Sequence, residues 1–324
     1  MIRTTLACAA GLLAVGAMVF DAGAAPAADS GGCDRECLHG LMDQYLTALV
    51  AHQPGQIRTT ADVKFTENTN RMKLGDGLWQ TIGALGTFKL YIEDPSSGQV
   101  AFYGTVKENG ATALLGVRLK QRAQRVSEIE SYVIRQATGV HGSFDKLTTV
   151  PAEWTQSVPQ SERSTRAQLR HDANQYFNGI EQGNGSIVPF AADCLRIENG
   201  AQTAPTIATA TRPSMSAGAQ FDTHMFDYIH EITNRRFLLT DPERGLVYAV
   251  VMFQHPGNIK PQMNAVTATA SGAAARTFSL SSYPNTTQII ETFQIRDGKI
   301  QRIFAFVSVL PYRQSPGWPA ENIK

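Results

Sequence analysis

The chain is 324 residues long, 43% apolar and 18% charged, the proportions of a globular protein and not of a disordered or collagen-like one. With 29 Lys and Arg against 28 Asp and Glu there is no basic surplus to hold a polyanion, so nucleic acid is not an expected partner. The length accommodates two domains or one large one.

The first residues read as an export signal. Arg3 precedes an uncharged apolar run from Leu6 to Phe20, and Ala22-Gly23-Ala24 offers a small-residue cleavage site. The pattern predicts a signal peptide over residues 1–24, cut after Ala24, and a secreted or periplasmic mature chain. A membrane anchor is the alternative, but the run falls short of the roughly 20 residues of a spanning helix and leads into Ala/Pro/Gly-rich sequence. Cys8 precedes most of the run and is poorly placed for lipidation. No second long apolar run follows, so no membrane contact is expected once the leader is removed.

Removal of the leader leaves Cys33, Cys37 and Cys194, an odd number in a compartment that permits disulfides. One bridge and one spare thiol is the simplest outcome. Cys33 and Cys37 lie a helical turn apart, but a regular helix spaces its Cα atoms poorly for bridging. A bridge from Cys194 to one of them is therefore at least as plausible, and one disulfide involving Cys194 is expected. Three cysteines without matching histidine spacing make no zinc site.

The chain then repeats itself. Asp43-Gln44-Tyr45-Leu46 recurs as Asn174-Gln175-Tyr176-Phe177, and Asp62 with Glu67-Asn68 recurs as Asp193 with Glu198-Asn199, each pair 131 positions apart. Asp94-Pro95 with Gly98-Gln99-Val100 recurs as Asp241-Pro242 with Gly245-Leu246-Val247, now 147 positions apart. Order is kept while spacing grows, the mark of a duplication with insertions.

In the first copy, expected over residues 33–136, Leu38, Leu41, Tyr45 and Leu49 recur at helical spacing, which predicts an opening amphipathic helix ended by Gln53-Pro54-Gly55. Thr87 to Glu93, Gln99 to Lys107, Ala111 to Gln121 and Arg125 to Arg135 are rich in β-branched, aromatic and aliphatic residues and read as strands. Asp-Pro-x-x-Gly and Asn109-Gly110 supply the turns between them. Residues 137–162, punctuated by Gly139, Gly142, Pro151 and Pro159, read as a linker. The second copy, expected over 163–313, opens with Leu169, Ala173, Tyr176 and Ile180 at helical spacing. Its strands are expected over Arg236 to Thr240, Leu246 to Gln254, Thr286 to Arg296 and Lys299 to Leu310. Insertions at 201–219 and 256–283 read as loops that could serve as lids, and 314–324 as a tail. Helices followed by antiparallel meanders predict an α+β fold.

Several motifs carry a resemblance: Thr66-Glu67-Asn68, Gly75-Asp76-Gly77-Leu78-Trp79, Asp94-Pro95 with Gly98-Gln99-Val100, Pro189-Phe190 with Asp193-Cys194, Glu198-Asn199-Gly200 with Gln202-Thr203, and Pro311-Tyr312. The chain resembles, from about Cys33 to Trp318, the tandem family catalogued as domain of unknown function 8021. Its helix-and-meander plan resembles the nuclear transport factor 2-like superfamily, whose SnoaL-like branch contains small cofactor-independent enzymes. The resemblance implies two tandem cones, each with N-terminal helices and a curved antiparallel sheet, and a pocket inside a cone. Similar proteins carry a cysteine near Ala217 and a glutamate where Phe304 stands here, two departures from the family pattern.

No Gly-x-Ser-x-Gly elbow, P-loop, dinucleotide fingerprint or His-Glu-x-x-His occurs, which disfavours nucleophilic hydrolysis and nucleotide chemistry. No cofactor is implied. What remains is proton transfer by a carboxylate, histidine or tyrosine among apolar walls. Glu291 is the leading candidate: it shares a strand face with Thr287, Ile289, Phe293 and Ile295, and its first-copy counterpart is Val117. The plainer reading pairs it structurally with Arg235 or Arg236. Tyr176 and His224 are its expected helpers, His224 and His230 flanking a helix whose buried stripe is Phe221, Met225 and Ile229. Tyr45, Trp79, Glu130, Glu198 and Asn199 are candidate ligand contacts, though recurrence of the Glu-Asn pair also argues for a structural role. His224, Asp227 and Glu231 share a face, but a solvated face is the ordinary outcome and no metal is expected. The expected occupant is a small hydrophobic molecule, acted on by a lyase, isomerase or cyclase working through acid–base catalysis; the alternative is a noncatalytic module, either a binding protein or a structural pseudodimer whose cones are filled by side chains. The two copies are expected to pack as an intramolecular pseudodimer.

Overall fold

Each copy opens with a helix whose start is fixed by a side chain. Asp34 caps α1 (Arg35–Val50) by accepting from the Cys37 amide at 2.9 Å, and Thr165 caps α2 (Arg166–Gln182) by accepting from Gln168 at 3.2 Å. The computed structural model describes residues 33–136, 142–211, 213–257 and 283–320, besides Met1. The signal peptide, the start of the linker and nearly all of the 256–283 insertion lie outside the described residues. Among those described, no helix is long and apolar enough to cross a membrane.

The first copy continues through β1 (Thr59–Glu67), β2 (Asn70–Arg71), β3 (Ile82–Asp94), β4 (Gln99–Glu108), β5 (Ala111–Arg122) and β6 (Arg125–Arg135). The second follows with β7 (Phe190–Glu198), β8 (Ala201–Ala204), the short helix α3 (Ala217–Asp222), β9 (Glu231–Asp241), β10 (Leu246–His255), β11 (Asn285–Arg296) and β12 (Lys299–Pro311). The six-stranded sheets have the same order, β2-β1-β6-β5-β4-β3 and β8-β7-β12-β11-β10-β9. The fold is α+β, two tandem cones as expected. Register breaks between Leu85 and Lys89 in β3 and between Tyr248 and Ala249 in β10 bend each sheet around its helix.

Sequence patterning missed β1 and β7, which run parallel to β6 and β12. Both carry charged residues on a partly exposed face, so neither shows the dense apolar run of the meander. Where each parallel ladder ends, an asparagine extends it. Asn68 (φ 45°) donates to the Val133 carbonyl at 2.9 Å and accepts from its amide at 2.8 Å; Asn199 (φ 47°) does the same with Val307 at 3.0 and 2.9 Å. That reciprocal pairing gives the recurring asparagine a structural role in the sheet.

Three further expectations are corrected. The bridge joins Cys33 to Cys37, and Cys194 is buried and free. Cys33 lies ahead of the Asp34 cap, outside the helical turn, and its Cα comes within 5.2 Å of that of Cys37. The helix expected between His224 and His230 stops at Asp222, because His224 takes a left-handed conformation (φ 58°) and its ring occupies the space a side chain at Gly183, the α2 C-cap, would need. The 201–219 insertion contains β8 and the start of α3 and is not a plain loop.

Three apolar cores result. Two fill the cones, beneath α1 and beneath α2 and α3. The third lies between the sheets, where Leu90, Tyr103 and Tyr132 of the first copy meet Leu239, Ile290, Phe304 and Phe306 of the second, closed by Phe144 and Trp154 of the connecting segment. Strand β10 is consequently buried along its whole length on both faces. Reciprocal ion pairs flank this core: Arg35, first residue of α1, donates to Asp241 at 2.8 and 3.1 Å, and Arg166, first residue of α2, donates to Asp94 at 2.8 and 2.6 Å. The arginines are equivalent in the repeat, as are the aspartates, so each copy's helix start is tied to the other copy's Asp-Pro turn. The tail returns to the first copy. Trp318 donates from its indole nitrogen to Thr66 Oγ1 at 2.9 Å, and Lys64 lies 3.9 Å above its ring.

Candidate functional site

Strand alternation decides what the second cone contains. On β11, Ile289, Glu291, Phe293 and Ile295 face the core under α2. Glu291 is 1% exposed, sits between Ala249 and Ala305 across the sheet, and its Oε2 has no hydrogen-bond partner. Burial, reinforced by the like charge of Glu198, pushes its carboxyl up to about 8 against the opposing pull of Arg196 and a hydrogen bond from Tyr176. Such a group is largely protonated at neutral pH.

Arg196, on β7, is the second buried polar group. Its guanidinium donates to Tyr176 Oη at 3.3 Å, to Gln220 Oε1 on α3 at 2.6 Å and to Thr203 Oγ1 at 2.8 Å. The nearest carboxylate oxygen paired with it is Glu198 Oε1, 3.6 Å from Nε. Tyr176 reaches the centre from α2, its ring 5.4 Å from Phe221 and 5.2 Å from Phe293, and burial raises its phenol well above the ordinary range. The arrangement is an aromatic cluster around one neutral carboxyl, one phenol and one guanidinium.

The first cone is the internal control. The repeat sets Phe65 opposite Arg196 and Val117 opposite Glu291, and both are buried in an apolar core. Tyr45 and Trp79, expected as ligand contacts, pack edge to face there at 5.5 Å, both 1% exposed. At these two positions a guanidinium and a carboxyl stand in the second copy where the first has apolar side chains.

The other candidates lie elsewhere. Neither arginine proposed for Glu291 is its partner: Arg235 binds Glu181, Asn174 and Asn178, and Arg236 binds Glu130. Glu130 lies between the sheets and not in a cone, held by Arg118 Nε at 3.0 Å and Arg236 Nη1 at 3.1 Å. Burial alone would raise its carboxyl, but the two guanidiniums hold it below the usual range. It is a clamp joining the copies. His224 is about half exposed, 3.3 Å from Asp227, with its ring against Gly183 at the end of α2, and does not share the burial of Glu291. Burial pushes the Cys194 thiol up to about 12, which makes it inert. Among the described residues no group of three His, Cys, Asp or Glu is placed to hold a metal. A cleft of about 510 Å³ lined by Arg35, His39, Glu93 and Arg244 lies outside the cones, and its charges are matched to one another.

Arg196 and Gln220 were missed from sequence. The signal for Arg196 was present, because the spacing that relates Glu67 to Glu198 also relates Phe65 to Arg196. Gln220 stands on α3, just past the 201–219 insertion.

A family model described as Domain of unknown function (DUF8021) matches residues 162–307, which includes Tyr176, Arg196 and Glu291. No curated protein matches the chain. Among solved structures, an NTF2-like protein of unknown function from Cytophaga hutchinsonii is similar at 10% identity and a TM-score of 0.27, covering 32% of this chain and 95% of that one. A hypothetical protein with a ketosteroid isomerase-like fold from Catenulispora acidiphila, in complex with trimethylamine, is 12% identical with a TM-score of 0.23, covering 28% and 83%. PrhC from Penicillium brasilianum is 14% identical with a TM-score of 0.25, covering 45% and 83%.

Proposed function

We propose that the second cone holds a small, largely apolar molecule and that Glu291, protonated at neutral pH, offers it a hydrogen bond from inside an aromatic wall. The observation that carries this reading is the contrast between copies: Arg196 and Glu291 replace Phe65 and Val117. A buried carboxyl oxygen without a partner costs roughly 1–3 kcal/mol, a cost a ligand's polar group would relieve. A carboxyl titrating near neutrality is also suited to act as acid and base. The enzymatic form of the proposal is a cofactor-independent lyase, isomerase or cyclase with Glu291 as proton carrier and Tyr176, oriented by Arg196, beside it. A noncatalytic binding module is the second reading, supported by the full engagement of Arg196 with Tyr176, Gln220 and Thr203. The first copy serves as the scaffold half of an intramolecular pseudodimer. The Cys33–Cys37 bridge suits an oxidising compartment, in keeping with export to the periplasm or medium.

Isothermal titration with long-chain primary alcohols tests the site. Saturable binding by the wild type is expected, weakened roughly three- to tenfold by Glu291→Leu, the worth of one neutral hydrogen bond, and unaltered by Tyr45→Phe in the first cone. Equal binding by wild type and Glu291→Leu, or loss confined to Tyr45→Phe, would refute it.

A further inference from the structure

A second unpartnered polar atom lies on the same wall. His255, last residue of β10, belongs to the face formed by Val251 and Phe253, and it is 2% exposed. Its Nε2 is 3.0 Å from Thr287 Oγ1, its ring stacks on Tyr228 at 5.3 Å and 22°, and its Nδ1 is buried with no hydrogen-bond partner. Burial lowers its pKa to about 4, so the ring is neutral. Two contacts fix its orientation, and one nitrogen is left over.

The repeat again supplies a control. Glu108 occupies the first-copy position of His255, and both its oxygens are used, by Arg135 and by Thr81. Ala113 stands in place of Thr287. The unsatisfied nitrogen, like the unsatisfied Glu291 oxygen, belongs to the second copy.

Resting on the reading of the second cone as a ligand site, we infer that its occupant is anchored at both ends, by Glu291 and by His255, and is an elongated apolar molecule with a hydroxyl group at each end. Thr287, which the His255 ring reaches, is four residues from Glu291 on β11, about 13 Å of strand, and Asn285, the register partner of His255, is six, about 20 Å. The wall between them is apolar, with Ile289 on β11 and Val251 and Phe253 on β10, and Phe177 packs 6.2 Å from Phe253 and 5.7 Å from Phe293. A hydroxyl both donates and accepts, so it satisfies a neutral imidazole in either tautomer and a protonated carboxyl equally.

The test is titration of the full chain with α,ω-alkanediols from hexane to tetradecane and the matching primary alcohols. The expected optimum is a diol whose hydroxyls lie about 13–20 Å apart when extended, binding roughly three- to tenfold more tightly than its alcohol. His255→Phe is expected to erase that advantage, bringing each diol to the affinity of its alcohol, and Thr287→Val, which frees the ring, to reduce it. Thermal melts confirm that both variants fold; if His255→Phe does not, Thr287→Val decides. Alcohols that bind in a Glu291-dependent way with no diol advantage, or an advantage that survives His255→Phe, overturn the two-ended ligand and leave the site standing. Absence of binding by every alcohol and diol overturns both.

Discussion

Glu291 and Glu130 are both buried carboxylates, and their surroundings give them opposite behaviour. Glu130 balances two guanidiniums, so Glu130→Gln leaves buried positive charge uncompensated and is expected to cost roughly 3–5 kcal/mol in chemical denaturation. Among the described residues Glu291 forms no salt bridge, burial outweighs the pull of Arg196 on it, and its stability contribution follows pH with the reverse sign of an ion-paired acid. Its folded pKa is raised from 4.5 to about 8, so the stabilisation is complete below 4.5 and is lost as pH rises through about 8. Wild type is expected to lose on the order of a few kcal/mol across that window relative to Glu291→Gln. Parallel pH profiles of the two proteins would speak against the raised pKa. The counterpart assignments of Glu291 to Val117 and of Glu130 to Phe304 were legible in the sequence. The arginine expected beside Glu291 instead serves Glu130, a pairing between copies that no spacing along one strand encodes.

At the scale of elements, the meander was readable because its strands are dense in β-branched and aromatic residues. Strand β6 begins and ends where the sequence placed it. Strands β1 and β7 were not readable, since a parallel edge with one wet face carries too mixed a pattern. Their ladder ends depend on Asn68 and Asn199. Asn199→Ala removes the partner of both Val307 backbone groups and is expected to cost about 1–3 kcal/mol, seen as a lowered denaturant midpoint; an unchanged midpoint would show that the asparagine is dispensable. The end of α3 was illegible for a related reason. The residues after Asp222 keep helical periodicity, but His224 is held against Gly183 by packing that is not local in sequence.

For the whole molecule, duplication was visible in two spacings, and the reciprocal ties of Arg35 to Asp241 and Arg166 to Asp94 follow from it. The two pairs are equivalent to each other by the repeat, each joining the helix start of one copy to the Asp-Pro turn of the other. Because the third core draws on both sheets, residues 33–136 expressed alone would expose Leu90, Tyr103 and Tyr132. That fragment is expected to self-associate or to lack a cooperative melt; a monomer melting like the intact chain would contradict the shared core. The duplication also frees one cone to diverge. The first keeps an apolar filling around Phe65 and Val117, while the second acquires a guanidinium, a neutral carboxyl and an unpartnered imidazole nitrogen.

The central claim is that the second cone keeps Glu291 buried, without a salt bridge, and protonated at neutral pH. Carbon-13 NMR of the glutamate side-chain carboxyls, with Glu291→Gln to assign the resonance, tests it directly. One signal, absent from the variant, is expected to titrate with a midpoint near 8. Titration of that signal in the ordinary range near 4.5 would contradict it.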